Sequence, residues 1–579
     1  MTPMRLPALL VLFFTLLLLT SCGDAPTEVG SKTNTDNRKL IHLNQLGYYP
    51  DAPKKAIFIG AQDIDVVQLV DVESKEKVAE IPLSNELNWE MAGDRVRVAD
   101  FSSVKTEGTY QLEAEGFVPS HPFEIKNHLY ADALTGSVKG LYYQRASTAL
   151  EEKHAGQWKR PLGHPDDQVL FHASSGQSTG TTNSSKGWYD AGDFNKYIVN
   201  GCFSLGQLLT LAEQYPKLFG DSDLNLPESG NGVNDYLDEL KYELDWAMSM
   251  QDKDGGLFHK LTTKRFEGVK MPHEATNDRY IVGKGTAASL DFAAAMAQAH
   301  RVFLEVDPAY AQQCLSAAER AWEWSVKNPQ EAYRNPSDVQ TGEYGDENFK
   351  DERYWAAAEL YVSTQKSKYL DDLVANMPNN SFKTNNGWQS YMSYLGMYSL
   401  LSSTVPMPDS LRQKLRQSVL AEADQLAERC KALDYFQPID RFVWGSNSDV
   451  LNAAMLMANA YRLDPKPEYL GAIQETVDYI FGKNPVGMCY LTGFGDKSPM
   501  FIHHRQSMAD GIDEPVPGLL SGGPNIVQQD TSDGTTYPPN VAPMKSWVDQ
   551  ESSYASNEIC LNWNAPLTYV LGFLEAQNP

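Results

Sequence analysis

Segments with helical periodicity occupy most of the chain beyond residue 128. Between 233 and 251, for example, apolar residues recur at spacings of three and four, which places them on one face of a helix. Twelve such stretches lie near 129–150, 198–214, 233–251, 285–305, 308–327, 352–363, 367–375, 387–402, 410–434, 448–462, 467–482 and 563–577. Twelve helices joined by long loops predict a toroid of paired helices, with a cleft that the loops build at one end.

The segment from 38 to 126 has a different pattern. Short runs rich in β-branched and aromatic residues alternate with turn signals such as Glu107-Gly108 and Glu115-Gly116. Several short strands within so few residues predict a β-sandwich. The 579-residue chain is therefore expected to be multidomain, with a small all-β module at 38–126 and a large all-α domain at 128–579.

The N-terminus has the features of an export signal. Arg5 precedes an apolar run that is too short for a membrane span, and the run ends at a segment that resembles a bacterial lipobox before Cys22. Residues 1–21 are thus expected to be a lipoprotein-type signal peptide, Cys22 the lipidated residue and 22–37 a polar tether. The protein would then be exported and anchored to a membrane, at the periplasmic face or the cell surface. An ordinary signal peptide is the alternative.

The formal net charge is −26, which argues against nucleic acid or an anionic membrane surface as a partner and suits a neutral or cationic substrate. Solubility alone also explains such a charge. Membrane contact is expected only through the lipid anchor. The five cysteines after Cys22 are widely spread and include no CxxC, so they indicate neither a zinc ribbon nor a disulfide framework.

One acidic segment stands out at 186–197. Asp190 and Asp193 are separated by Ala191 and Gly192, and aromatic residues flank the pair. Small residues between two acids allow a tight turn that aims both carboxylates at one point, and aromatic rings stack on sugar faces. A solvated surface turn is the alternative interpretation.

A second acid, Glu558, lies between Asn557 and the apolar pair Ile559-Cys560. A carboxyl in apolar surroundings has a raised pKa and can remain protonated near neutrality, as a general acid must. The alternative is that Glu558 caps the last helix. A third loop contains His503, His504 and Arg505, which offer several donors to sugar hydroxyls. Zinc binding there would require a third ligand, and none is evident.

The order of these motifs resembles family 9 of the glycoside hydrolases, the cellulases with an (α/α)6 barrel. The motifs are Trp188-Tyr-Asp-Ala-Gly-Asp193, Thr492-Gly-Phe-Gly495, His503-His-Arg505, Ser556-Asn-Glu558 and Asn562-Trp-Asn-Ala565. The opening of the β module, 42–50, resembles the start of the immunoglobulin-like module that precedes the catalytic domain in some cellulases. The resemblance extends from about residue 40 to the C-terminus.

The resemblance implies specific roles. Asp193 would be the general base, Asp190 would help hold the water and Glu558 would be the general acid. Because the family inverts the anomeric centre, base and acid are expected to stand roughly 6.5–9.5 Å apart. His503 and Arg505 match family residues that contact the sugar beside the scissile bond, and Trp444, Tyr554 and His259 are further candidates for substrate binding.

A calcium site is predicted at 341–352, where Asp351 and Glu352 resemble a calcium-binding pair of the family. The alternative is an acidic helix start. Some relatives also have a Cys/His zinc site before the Asp-Ala-Gly-Asp loop, but this chain has no cysteine there, which argues against zinc. No cofactor is expected for the chemistry itself.

These inferences predict an exported endo-β-1,4-glucanase, a cellulase that hydrolyses cellulose or related β-glucans with inversion. The first alternative is specificity for another β-linked glycan, such as xyloglucan or glucosamine oligomers. The second is a non-catalytic glycan-binding lipoprotein, which the presence of all three acids disfavours.

Overall fold

A computed structural model describes residues 39–177, 179–377 and 391–578. The predicted signal peptide at 1–21, the predicted tether at 22–37 and the predicted lipidation site Cys22 lie outside these residues. So does the start of the helix predicted at 387–402.

The N-terminal module is a sandwich of two sheets. One contains β1 (Leu40–His42), β3 (Lys55–Ile59), β7 (Asp94–Asp100) and β6 (Leu87–Trp89), in that order. The other contains β2 (Gly47–Tyr48), β9 (Phe123–Ile125), β8 (Gly108–Glu113), β4 (Val66–Asp71) and β5 (Lys77–Pro82). The two sheets confirm the β-sandwich that the short apolar runs predicted.

The sheet that contains β3 is buried on both faces. Ala56 and Phe58 point into the core of the sandwich. Ile57 and Ile59, on the opposite face, join the core of the helical domain. Since alternate residues of a strand face opposite sides, this run of four apolar residues contributes two side chains to each core. The β module and the helical domain therefore belong to one compact unit.

Six inner helices form a closed ring. They are α3 (Ile198–Gln214), α5 (Thr286–Phe303), α7 (Lys350–Thr364), α9 (Met392–Ser402), α11 (Ser446–Leu463) and α15 (Leu561–Gln577). Each packs on the next, and α15 returns to α3. Nearly every position of α3 and α15 is buried, as expected for helices surrounded by other helices.

Six outer helices pack against this ring. They are α1 (Ala131–Tyr143), α4 (Asp235–Ser249), α6 (Pro308–Lys327), α8 (Ser367–Ala375), α10 (Asp409–Ala432) and α12 (Pro467–Ile480). Their buried residues lie mainly on one face, and solvent covers the other. The described part of the chain thus has the paired-helix toroid that the sequence predicted.

The twelve predicted helices are present, with one clear correction. The helix predicted at 129–150 ends at Tyr143. It ends there because residues 144–146 leave the helix to pair with the segment after Lys186: Tyr189 N–H donates to Gln144 O (2.8 Å) and Ala146 N–H donates to Gly187 O (2.7 Å). Among the described residues, the sequence did not predict three short α-helices, namely α2 (Glu152–Ala155), α13 (Arg505–Ala509) and α14 (Tyr554–Asn557).

A third sheet, which the sequence did not reveal, lies among the loops. It contains β11 (Thr181–Thr182), β10 (Val169–Phe171), β14 (Tyr280–Ile281), β13 (Lys260–Thr262) and β12 (Lys196–Tyr197), in that order. Strand β12 directly follows the Asp190–Asp193 turn and thereby fixes where that turn ends. Of the helices described, none combines the length and the apolar character that crossing a bilayer requires.

Candidate active site

The predicted acids meet at one end of the ring, where the inner helices begin. Isolated β-bridges pair Ala191 with Cys560 and His503 with Glu558. These bridges join the loop before α3, the loop that leads into α13 and the loop before α15. The fold therefore assembles one site from segments that are hundreds of residues apart in sequence.

Gly192 makes this assembly possible. A Cβ atom at this position would lie 2.0 Å from the carbonyl oxygen of His503 and 3.3 Å from Oε1 of Glu558. The Gly192 carbonyl accepts hydrogen bonds from the Arg505 amide (3.0 Å) and from Arg505 Nη1 (2.9 Å). Only glycine allows the acidic turn to approach the other two loops this closely.

Asp190 is buried, with 2% of its surface exposed, which excludes a solvated surface turn. Asn200 Nδ2 donates to its Oδ1 (2.7 Å) and the Tyr344 hydroxyl donates to its Oδ2 (2.7 Å). Burial, together with the charge of Asp193, raises the pKa of Asp190 to about 7, and the two donors act in the opposite direction. Asp190 is thus held by donors on both oxygens.

Asp193 is also buried, but its hydrogen bonds are local. Asn195 donates to Oδ2 through its backbone amide (3.3 Å) and its side-chain Nδ2. The other end of the Asn195 amide is fixed in turn, because its Oδ1 accepts from Thr262 Oγ1 and from the Thr263 amide, both at 3.0 Å. Asn195 therefore orients Asp193, and its bonds to the end of β13 hold Asn195 itself in place.

Glu558 does not cap the last helix, since α15 starts at Leu561 and its N-cap residue is Cys560. Its carboxyl is partly buried beside Gly192. Burial and the negative charge of Asp193 hold the pKa of Glu558 well above its usual range, and nearby Arg505 offsets only part of this rise. A carboxyl with a raised pKa keeps its proton to higher pH than an ordinary glutamate does, which suits a proton donor.

The two histidines have different environments. His503 Nδ1 lies 2.6 Å from the Glu551 carbonyl oxygen, so Nδ1 bears the proton and Nε2 is the acceptor nitrogen. His504 is buried, with Nδ1 2.9 Å from Ser507 Oγ and Nε2 3.0 Å from Gln144 Oε1. Because both nitrogens of His504 are engaged, the pair is not arranged as zinc ligands.

Arg505 braces two loops. Besides its bonds to Gly192, its Nε donates to the Glu267 carbonyl (2.9 Å), and its guanidinium lies 5.6 Å from the centre of the Phe266 ring. Direct contact of His503 and Arg505 with a sugar stays a prediction.

Aromatic side chains extend from His503 along the surface. The His503 ring lies 6.0 Å from that of Tyr554, which lies 5.6 Å from that of Trp444. Trp444 is 49% exposed, which is unusual for so large an apolar residue and is not a core position. The row offers flat apolar surfaces next to the acids, as a glycan site requires.

His259 is placed differently from the other candidates. It is 1% exposed, stacks on Tyr333 at 3.8 Å between ring centres, and its Nε2 lies 2.8 Å from the Glu343 carbonyl oxygen. Burial lowers its pKa to about 3. Its predicted role as a substrate contact gains no support from this buried placement.

The predicted calcium residues, Asp351 and Glu352, lie in the first turn of α7. The alternative of an acidic helix start therefore also describes this segment. Glu352 is fully buried, and so is Asp291 of α5. Neither carboxylate has a hydrogen-bond partner on either oxygen among the described residues. Burial raises the pKa values of both, and the nearby charges of Asp351 and Asp346 raise them further. Within the described ranges, no set of three or more His, Cys, Asp or Glu side chains is gathered closely enough to hold a metal ion.

Three residues that sequence reasoning missed complete the site: Tyr344, Asn200 and Asn195. Tyr344 lies in the acidic 341–352 loop, which the sequence connected only with calcium. Buried Lys260 holds that loop in place, because its Nζ donates to Thr341 Oγ1 (2.9 Å) and to the Gly342 carbonyl (2.6 Å). The position of Tyr344 within this acidic segment was the only feature of the sequence that could have drawn attention to it.

Comparison with known proteins agrees with this architecture. The model of Glycosyl hydrolase family 9 matches residues 130–571, and that of the cellulase N-terminal ig-like domain matches residues 36–118.

The similar proteins share both parts of the chain. The xyloglucan-specific endo-beta-1,4-glucanase BoGH9A of Bacteroides ovatus is 39% identical over 563 residues, which cover 93% of this chain and 94% of that protein. Endoglucanase D of Acetivibrio thermocellus is 34% identical over 569 residues, which cover 96% and 87% respectively. The solved structure of a Bacteroides ovatus GH9 protein superposes with a TM-score of 0.85 at 36% identity, covering 93% of this chain and 99% of that one.

Proposed function

The chain belongs to glycosyl hydrolase family 9, and from this membership and the geometry of its site we propose that it is an endo-β-1,4-glucanase acting on cellulose or related β-glucans. The observation that carries the proposal is the meeting of three carboxyls in bridged loops beside a row of aromatic rings that ends at the exposed Trp444. Similar proteins named endoglucanases support the choice of substrate.

In the proposed reaction, Glu558 gives its proton to the glycosidic oxygen as the bond between that oxygen and the anomeric carbon breaks. A water molecule attacks the anomeric carbon from the opposite face, and Asp193 accepts the proton that this water loses. Asp190, held by Tyr344 and Asn200, orients the water from the same turn. The product is a sugar with inverted anomeric configuration.

The test is a product profile on soluble cellulose derivatives, mixed-linkage β-glucan, xyloglucan, mannan and chitosan oligomers, with Glu558→Gln as the inactive control. We expect internal cleavage of β-1,4-glucans, with the α-anomer formed first in a proton NMR time course. Cleavage of xyloglucan alone would narrow the specificity to that of the Bacteroides ovatus relative. Binding without cleavage of any glycan would favour the non-catalytic alternative.

We also propose a structural calcium ion at the start of α7. Asp291 and Glu352 fit such a group because their four buried oxygens have no hydrogen-bond partner, and Asp346 and Asp351 add negative charge. Bound calcium would offset two of these negative charges. The ion would then hold the 341–352 loop, which contains Tyr344, against α5.

Finally, we propose that the protein is anchored through a lipid on Cys22. The support is the lipobox-like sequence before Cys22 and the polar stretch after it. Cells that make Cys22→Ala and the wild type should be fractionated side by side. The wild type is expected in the membrane fraction and the variant outside it; an identical distribution would refute the anchor.

A further inference from the structure

A buried group of three charged side chains lies behind the turn that contains Asp190 and Asp193. Asp166 accepts from Arg279 Nε (2.7 Å) and lies 2.8 Å from Lys196 Nζ. The side chains of Lys196, Asp166 and Arg279 are 0%, 2% and 7% exposed. We refer to Asp166, Lys196 and Arg279 as the ion clamp.

Both cations of the ion clamp bind the backbone of the acidic turn. Lys196 Nζ donates to the carbonyls of Ser184 (3.1 Å) and Lys186 (2.6 Å), at the start of the turn. Arg279 Nη1 donates to the carbonyl of Phe194 (2.8 Å), the residue directly after Asp193. The two ends of the turn are therefore tied to one buried centre.

Asp166 fixes this centre in position. Its own backbone carbonyl accepts from the Ser184 amide (2.8 Å), so the segment around Asp166 also contacts the start of the turn directly. Two residues earlier, His164 Nδ1 lies 2.8 Å from the hydroxyl of Tyr189, which precedes Asp190. Without the Asp166 carboxylate, two buried cations would face each other unpaired, and neither could keep its place.

From these contacts we propose that Asp166, through Lys196 and Arg279, is a positioning residue that sets the place of Asp193 relative to Glu558. The inference rests on the proposed function, because the turn matters for catalysis only if its aspartates take part. Buried ion pairs add little net stability compared with apolar packing, but they define geometry sharply. A base misplaced by about 1 Å can reduce the rate on the order of 10²-fold.

The test compares Asp166→Asn with Glu359→Gln in the full chain. Glu359 is an equally buried carboxylate that pairs with an arginine, Arg301 Nη2, at 2.6 Å. Arg301 lies near the C-terminal end of α5, away from the end of the ring where the site is built. Both variants replace one buried, arginine-bonded carboxyl by an amide, so both are expected to melt at a lower temperature than the wild type.

Kinetics on a soluble β-glucan, at a temperature where circular dichroism shows each variant folded, separate positioning from stability. For Asp166→Asn we expect kcat to fall roughly 10- to 100-fold with KM changed less than about threefold. For Glu359→Gln we expect kcat within about twofold of the wild type. An unchanged kcat in Asp166→Asn, or an equal loss in both variants, would overturn the proposal.

Two further measurements keep the proposal testable. If Asp166→Asn does not fold, Arg279→Lys can be used instead. It retains the charge but lacks the second nitrogen that reaches Phe194, so its kcat should fall; a wild-type kcat would overturn the proposal.

Hydrogen exchange across 186–196 is a second measurement, and it needs no substrate. Faster exchange there in Asp166→Asn but not in Glu359→Gln would support the clamp even if the wild type hydrolysed no β-glucan, an outcome that would refute only the proposed function. Equal exchange in both variants would overturn the clamp.

Discussion

The hydroxyl of Tyr344 donates a 2.7 Å hydrogen bond to Oδ2 of Asp190, which joins the loop before α7 to the acidic turn before α3. Asn200 donates to the other oxygen of the same carboxylate. Asp190 is thus held on both sides, while Asp193 depends on its neighbour Asn195. This asymmetry suits a supporting role for Asp190 and a reacting role for Asp193.

Replacing Tyr344 by Phe removes one donor from Asp190. That donor lowers the pKa of Asp190, so its loss should raise the pKa further above 7. Because the ionised carboxylate is the form that orients water, the acidic limb of the kcat profile should move to higher pH, with kcat at pH 6 lower by roughly 10-fold. Tyr236→Phe, which removes a buried hydroxyl bonded to the Leu208 carbonyl, is the matched control. An acidic limb at the wild-type pH in Tyr344→Phe would contradict this prediction.

Asp190 should also make stability depend on pH. Its folded-state pKa is about 7, against roughly 3.9 in the unfolded chain. Between these values the folded state binds more protons, so the free energy of unfolding falls as pH rises and the full cost is present above pH 7.

Asp190→Asn removes that cost. The melting temperature of the variant should exceed that of the wild type by roughly 1–3 °C at pH 8. The difference should become small toward pH 4, where the carboxyl is protonated in the folded state and about half protonated in the unfolded chain. Calorimetric scans of both proteins at the two pH values measure it, and a difference that does not change with pH would exclude the linkage.

The toroid and the principal acids could be predicted because their signals are local. The apolar periodicity of α4 is visible within one stretch, and the Asp190–Asp193 turn and the Glu558 loop are continuous motifs. The β-sandwich was indicated in the same way, by short runs such as 56–59.

The remaining parts of the site depend on tertiary contacts that have no local signature. Asn200 looks like any polar residue at a helix start, and only the folded ring places it on Asp190. Lys196 and Asp166 are single charges in long loops, and nothing in the sequence indicates that they meet. Burial has no local signature either: the sequence offered His259 as a substrate contact, and only the fold shows that it is buried and stacked on Tyr333.

Trp444 should contribute to glycan binding and not to the chemical step. Its exposed ring continues the row formed with Tyr554 and His503. Trp444→Ala is expected to raise KM for long cello-oligosaccharides roughly 10-fold, about 1.4 kcal/mol, with kcat within about twofold. Val118→Ala, at a highly exposed position of the β module, is the control. A fall in kcat without a change in KM would show that the ring acts on the reacting bond instead.

Calcium removal should destabilise the loop that contains Tyr344. Dialysis against a chelator is expected to lower the melting temperature, and calcium, but not magnesium, should restore it, because a site of several carboxylates suits the larger ion. Asp291→Asn should reduce the effect of the chelator. Equilibrium dialysis with radioactive calcium gives the stoichiometry directly. A melting temperature insensitive to the chelator, with no calcium bound, would rule out the site.

Substitutions of the three carboxyls should differ in how strongly their effect on kcat depends on the leaving group. Asp193→Asn keeps the shape but removes the base, so kcat should fall by roughly 10²–10⁴-fold on every substrate. Glu558→Gln removes the proton donor, so its loss should be severe on a glucan, whose leaving alcohol is poor. On an aryl glycoside whose leaving group needs little protonation, the loss should be milder. Asp190→Asn should be intermediate, because this residue only supports the water. The three variants should be compared on both substrates, after circular dichroism has confirmed that each one folds. Equal impairment of Glu558→Gln on both, with selective rescue of Asp193→Asn by the better leaving group, would mean that the acid and the base are reversed.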